Sequence, residues 1–273
     1  MIILLTILYK NIKMTLIFQY YSDLHLESRK KNPKCFPNGN GGLQSDTNNN
    51  NKYVCVLAGD IGNPREDTYW KFISQVSSAF DYVIIVLGNH EYYGSNYAKT
   101  IDFVKLNIKS KNCTNTFLLE NNCCFIENCV ILGTTLWSDI PSHAEHDILM
   151  GMNDYKYIEY FSIEFQNNLH KKAINFISET FSFIKKHYPH LKIIVVTHHA
   201  PLLKVTSSPN FKESKSTYAF GTDLPDLINL CDTWIYGHTH YNINTLHPKL
   251  KTNQLGYLDS PMNGFDSNAS FSI

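Results

Sequence analysis

Tyr82-Val83-Ile84-Ile85-Val86-Leu87 runs without a break into Gly88-Asn89-His90-Glu91. The first six residues are wholly apolar, rich in β-branched side chains, and of the length expected for a buried strand of an α/β sheet. A glycine ends the run, and three polar, chemically capable side chains follow. Ligands of α/β sheets collect at the carboxyl ends of the strands. The fold and the chemistry therefore turn on whether other strands end in the same way.

They do. The apolar run at 15–21 ends in Ser22-Asp23-Leu24-His25-Leu26-Glu27, and the run at 53–58 ends in Gly59-Asp60-Ile61-Gly62-Asn63-Pro64. Further on, 191–196 ends in Thr197-His198-His199-Ala200-Pro201, and 233–236 ends in Gly237-His238-Thr239-His240. Between these runs, helical spacing of Trp70, Ile73, Val76 and Phe80 predicts a helix over 65–80, and Ile101, Val104 and Ile108 predict another over 96–109. Phe165, Leu169, Ile174, Ile177 and Phe181 mark the longest helix, over 162–187, and a short one is expected at 224–230. Three short runs at 116–119, 124–127 and 129–132, separated by asparagines, read as a meander. Residues 242–246 and 254–258 read as closing strands, and 138–160 as a long functional connection. The pattern predicts two sheets packed between helices.

With 273 residues the chain forms one large domain or two small ones. A hydrophobic content of 43% with 18% charged residues is that of a soluble globular protein. Zero net charge gives no sign of a general polyanion binder, so nucleic acid is not a favoured partner. Seven scattered cysteines fit neither a zinc pattern nor a secreted disulfide framework. The apolar stretch through Tyr9 is too short to span a bilayer and lacks a preceding basic region. No membrane association and a cytoplasmic location are expected. The stretch at 28–52, with its Gly and Asn clusters, reads as a low-complexity loop.

Asp23-x-His25 and His238-x-His240 would place alternate side chains on one side of an extended chain, facing one ion. Imidazole, carboxylate and amide oxygen together suit a first-row transition ion. The groups outnumber what one tetrahedral site uses. A carboxylate can bridge two ions about 3.5–4 Å apart, the spacing of hydrolytic two-metal sites.

Asp23-x-His25, Gly59-Asp60-x-x-Asn63, Gly88-Asn89-His90-Glu91, His198 after a strand, and Gly237-His238-x-His240 resemble, in order, the motifs of the calcineurin-like metallophosphoesterase superfamily. The matches span residues 23–240. The resemblance implies an α/β fold, a four-layer αββα sandwich of two mixed sheets flanked by helices, with a dinuclear centre at the strand carboxyl ends. It implies that Asp23, His25, Asp60 and His240 hold one metal, and that Asp60, Asn89, His198 and His238 hold the other, with Asp60 bridging. His90 would face the substrate as the acid. The ions would be two divalent transition metals, Mn, Fe, Zn or Ni. Residues 1–13 are expected to be an extension and 14–273 a single metallophosphoesterase domain.

The protein Ser/Thr phosphatases of that superfamily carry Gly-Asp-x-Val-Asp-Arg-Gly and His-Gly-Gly, where this chain has Gly59-Asp60-Ile61-Gly62-Asn63-Pro64-Arg65 and His198-His199-Ala200. The sequence argues against that branch. Gly133-Thr134-Thr135-Leu136-Trp137, Asn153-Asp154-Tyr155 and Thr197-His198-His199-Ala200-Pro201 resemble single-domain microbial metallophosphoesterases. Among neighbouring residues, Glu91 is expected to support the site, Asn63 to make a turn, and His199 to hold a ligand by hydrogen bond. Trp137 and Asn153 are substrate candidates. Tyr92, Tyr93, Trp137, Tyr155 and Phe220 fit a nucleobase platform or core packing equally. Arg65 fits a phosphate clamp or a solvated helix start, and His143 and His146 read as solvated loop residues. The expected function is a dinuclear phosphoesterase acting on mono- or diesters of a small or nucleotide-like substrate. A nuclease and a non-catalytic scaffold on the same fold are the alternatives, and the second usually lacks part of the ligand set that this chain retains.

Overall fold

The computed structural model describes residues 15–29, 51–203, 205–211, 214–243 and 247–273. The expected extension at 1–13 and most of the 28–52 loop lie outside these.

Four parallel strands open the fold: β1 (Leu16–Tyr21), β2 (Lys52–Ala58), β3 (Tyr82–Val86) and β4 (Thr116–Leu118), hydrogen-bonded in that order. Helices α1 (Asp67–Ala79) and α2 (Tyr97–Ser110) make the crossovers from β2 to β3 and from β3 to β4. The second sheet begins with the hairpin β5 (Asn122–Ile126) and β6 (Cys129–Thr134), continued by parallel β7 (Lys192–Thr197), β8 (Thr233–Tyr236) and β9 (Leu250–Thr252). Three helices separate β6 from β7: α3 (Glu145–Gly151), α4 (Asp154–Tyr157) and the long α5 (Ile163–His187); α6 (Pro225–Leu230) lies between β7 and β8. The chain ends in β10 (Ser270–Ser272), antiparallel on the outer edge of β1.

Strand alternation builds the layers. Val54, Val56, Ile84 and Val86 point between the sheets and meet Ile131, Ile194, Val196 and Ile235. Their neighbours Cys55, Leu57, Val83 and Ile85 point the other way, onto Phe72, Ile73 and Val76 of α1 and Val104 of α2. On the far side, Val130, Leu132, Val195 and Trp234 pack under Ala173, Ile177, Phe181 and Ile184 of α5. The result is the expected four-layer αββα sandwich. Asn96 and Ser162 cap α2 and α5 by accepting from Lys99 N and Phe165 N. Among the described residues, no helix is long and apolar enough to cross a membrane.

Three expectations are corrected. The run at 116–119 is not part of a meander: β4 pairs parallel with β3, and Asn115 Nδ2 fastens it to the Ser77 and Phe80 carbonyls. No strand forms at 254–258. There the Asn242 side chain takes the place of a neighbouring strand, accepting from Gln254 N and donating to Gln254 O, each at 2.8 Å. Of the other expected closing strand, 242–243 is not extended pairing and 244–246 lies outside the described residues. The 138–160 connection is folded locally into α3 and α4.

Because the pairings from β1 to β3 and from β6 to β8 all run parallel, the motif-bearing strand ends share one edge of the sandwich.

Candidate metal centre

Three of the five motif loops leave their strands through a backbone that side chains rarely adopt. Asp23, His25, Asp60, His238 and His240 have φ of 54°, 47°, 52°, 69° and 47°. Asp23-x-His25 and His238-x-His240 are therefore not extended segments, and left-handed turns aim their side chains instead of strand alternation. Hydrogen bonds between loops hold these turns: Asp23 N, His25 N and Leu26 N donate to the carbonyls of Gly59, Asp60 and Ile61, each at 3.0 Å. Gly237 N donates to His198 O at 2.9 Å. Two motif glycines leave room for the neighbouring loop. A Cβ on Gly59 would stand 2.3 Å from His198 Nδ1, and one on Gly88 2.2 Å from Asp60 Oδ1.

The seven expected ligands come together, six of them buried and His240 half-buried. His25 Nε2 and His240 Nε2 are 3.1 Å apart, with Asp23 Oδ1 3.3 Å from His240 Nε2. His198 Nε2 lies 3.1 Å from His238 Nδ1 and 3.0 Å from Asn89 Oδ1. Asp60 Oδ2 reaches both clusters, at 3.4 Å from His198 Nε2 and 3.9 Å from His25 Nε2. Candidate ligand atoms fall into three overlapping groups: Asp23, His25 and His240; His25, Asp60 and His90; Asp60, His198 and His238.

The donor set fits a cation. His198 Nδ1 faces the Ala58 carbonyl at 3.0 Å, and His25 Nδ1 faces Glu27 Oε1 at 3.0 Å. Each Nδ1 thereby carries the ring hydrogen, and each Nε2 turns a lone pair towards other acceptors. Such a convergence is repulsive until positive charge enters it. The ionisation equilibria report the same demand. Burial disfavours charge on His198, but Asp60 outweighs it and pushes the imidazole up to about 9. Burial likewise opposes ionisation of Asp60, yet His198, His90 and His25 hold it well below the usual carboxylate range. Asp23 is also lowered, by His240 against its own burial. His238 and His199 are held neutral, by burial and then by neighbouring imidazoles.

Supporting residues fix the candidate ligands. Glu91, fully buried, accepts from Asp60 N, Ile61 N, Gly62 N and Gly88 N and so binds the second and third motif loops together. Burial and then Asp60 push its carboxyl up to about 7, against the pull of those N–H groups. Buried Asp154, at the start of α4, accepts from Asn89 Nδ2 at 2.8 Å and Tyr93 Oη at 2.6 Å, which turns Asn89 Oδ1 towards His198. Glu27 Oε1 serves His25 Nδ1 and His90 Nδ1 at 3.0 and 3.1 Å. Burial raises the Glu27 carboxyl, but these two bonds bring it down to about 2. His90, 18% exposed, has Tyr93 against its ring at 4.4 Å. Burial lowers it, and Asp60 and Glu27 together push it up to about 9.

The remaining sequence candidates separate. Asn63 Oδ1 caps a turn by accepting from Arg65 N. His199 Nδ1 donates to the Thr135 carbonyl at 3.3 Å, and its ring packs on that of His238 at 4.1 Å. Trp137 is 1% exposed and packs on Phe161, Tyr92 and His199. Asn153 is exposed at the start of α4, and its neighbour Asp154 makes the contact to the site. Arg65 is engaged by Tyr93 O and Thr100 Oγ1. Of the five aromatic candidates, Tyr92 is fully buried and Tyr155 packs on Phe161, whereas Tyr93 and Phe220 flank the centre, Phe220 at 5.4 Å from the His238 ring. Sequence reasoning missed Glu27, Asp154 and Tyr257. Glu27 and Asp154 are carboxylates two and one residues beyond His25 and Asn153, which is a usable signal; Tyr257 carries none.

Comparison with known proteins agrees with this fold. The model of the calcineurin-like phosphoesterases matches residues 20–242. The chain is 32% identical over 266 residues to an uncharacterized protein, L509, of Acanthamoeba polyphaga mimivirus, covering 88% of this chain and 91% of the relative. The crystal structure of a phosphopantetheinyl hydrolase from Mycobacterium tuberculosis shares the fold with a TM-score of 0.61 at 18% identity, covering 90% of each chain. Ordered motifs, the sandwich around them and the match over residues 20–242 agree, and the chain belongs to the calcineurin-like phosphoesterase family of metal-dependent phosphoric ester hydrolases.

Proposed function

We propose that this protein hydrolyses phosphate mono- or diesters of a small or nucleotide-like substrate, with two divalent transition-metal ions held by Asp23, His25, Asp60, Asn89, His198, His238 and His240. One observation carries the reading: two imidazole pairs, each closed to 3.1 Å, face a shared carboxylate, Asp60. When bound, the ions would activate a water for attack and neutralise phosphoryl oxygens. The chain's own residues do the rest. Glu27 holds the hydrogen on His90 Nδ1, so Nε2 faces the site. In its protonated form that nitrogen donates to the departing oxygen. Asp154 keeps the Asn89 amide from rotating, and Glu91 keeps the Asp60 loop in register with Gly88.

The test separates binding from proton delivery. Metal-loaded wild type is expected to cleave bis-p-nitrophenyl phosphate or p-nitrophenyl phosphate. Asp60→Ala should lose metal and activity together. His90→Ala should keep its metal by elemental analysis and lose roughly 10²–10⁴-fold in kcat. Equal metal loss in both variants would refute the division of roles, and an inactive wild type on both esters would refute the function.

A further inference from the structure

Tyr257 lies 167 residues from His90 in the chain, yet its hydroxyl stands 3.2 Å from His90 Nε2. Its ring stacks on His25 at 4.2 Å and 29°, and lies 4.8 Å from the His240 ring. The placement is built, not incidental. Leu255 N donates to Ser22 O at 3.2 Å and Gly256 N to Asp23 O at 2.9 Å, so the segment is tied to the first motif loop. Arg29 spans the same two pieces, its Nε donating to Leu24 O at 2.8 Å and its Nη2 to Gly256 O at 2.6 Å. Gly256, at φ 78°, supplies the turn that swings Tyr257 inward. The aromatic ring meets imidazoles, not the aliphatic core, and it remains half-buried.

His90 explains what the hydroxyl can do there. Its Nδ1 is committed to Glu27, so Nε2 is the nitrogen left for substrate, and Nε2 is the atom that Tyr257 meets. A hydroxyl at that distance from the donor nitrogen is also within reach of the oxygen that the nitrogen serves. We propose that Tyr257 is a further catalytic residue, whose hydroxyl donates a hydrogen bond to the leaving-group oxygen during ester cleavage. This rests on the reading of His90 given under Proposed function. In the step, a bond forms from phosphorus to the oxygen of water, and the phosphorus–ester oxygen bond breaks with its electron pair on that oxygen. His90 supplies the proton to the departing oxygen, water's proton passes to solvent, and Tyr257 keeps its own proton as a hydrogen-bond donor throughout.

Tyr257→Phe keeps the ring on His25 and removes only the hydroxyl. The variant is compared with wild type, both metal-loaded, on a phenyl phosphoester and its p-nitrophenyl counterpart. More charge collects on the less stabilised phenolate, so kcat should fall ~10–100-fold on the phenyl ester and several-fold less on the nitrophenyl ester, with KM within about threefold. Equal loss on both esters, a loss in KM alone, or no loss would overturn the proposal. A second readout needs no turnover. In ¹⁵N spectra of histidine-labelled, metal-free protein, Tyr257→Phe should shift the His90 Nε2 resonance and leave Nδ1 in place; an unchanged Nε2 would also overturn it. Wild type inactive on both esters removes the phosphoesterase reading and Tyr257's role with it, whereas an active wild type with an unaffected variant removes the Tyr257 proposal alone.

Discussion

Glu27 shows how one side chain can serve both halves of the chemistry, since a single oxygen holds the imidazole of a proposed ligand and that of the proposed acid. Its carboxyl falls from 4.5 to about 2 on folding, burial raising it and the two histidines lowering it by more. A depressed carboxylate stabilises the fold fully above its unfolded value and loses that contribution as pH falls through its folded value. In metal-free protein, wild type should therefore exceed Glu27→Gln in denaturant midpoint at pH 6, and the gap should shrink steadily between pH 4.5 and pH 2. A constant gap over that window would show that Glu27 acts by shape alone. Residues that support a site from far along the chain are the least legible in a sequence. Asp60 and His238 stand in short motifs, and a motif is visible because the candidate ligand and its turn are neighbours in the chain. Tyr257 meets His90 from 167 residues away, and no local spacing encodes such a partner.

At the scale of elements, the parallel strands were readable because burial on both faces leaves an unbroken apolar run, as in Val83-Ile84-Ile85-Val86. Edge elements were not. β10 is three residues long, Ser270, Phe271 and Ser272, and its pairing depends on β1, more than two hundred residues earlier. Its anchor is Phe271, stacked on Phe18 at 5.0 Å and 7°. Phe271→Ala should cost about 2 kcal/mol, less than a full core truncation because the residue is half-buried, as read from urea unfolding. It should also raise self-association in sedimentation, because the N–H and C=O groups on the open edge of β1 would lose their partners. The 254–258 segment failed as a strand for a related reason: the amide of Asn242 imitates a strand edge, and side-chain mimicry of backbone leaves no periodic trace.

The whole molecule is two sheets joined by an apolar interior and, at one edge, by the site. Asp23, Asp60 and Asn89 come from the first sheet, and His198, His238 and His240 from the second. Whatever binds between them binds both sheets at once and only in the folded state. Chelation of metal-loaded protein should accordingly lower Tm by roughly 5–10 °C in calorimetry, the shift expected when ligand at about 100 times its Kd is withdrawn from a chain of this size. Asp60→Ala should show no such response. An equal drop in that variant would place the stabilising ions elsewhere.

The left-handed backbone at Asp23, His25, Asp60, His238 and His240 has a consequence for how this chain can vary. Glycine, or at some positions asparagine, would sit in those turns with less strain than the residues present. At these five places the residue that folds best and the residue that the proposed metal site asks for are different ones. A lineage released from the need for hydrolysis would have an immediate route to a sturdier sandwich, and the first histidines it shed would be those whose turns a glycine relaxes. Keeping all five together is what the proposed hydrolysis would demand of this chain.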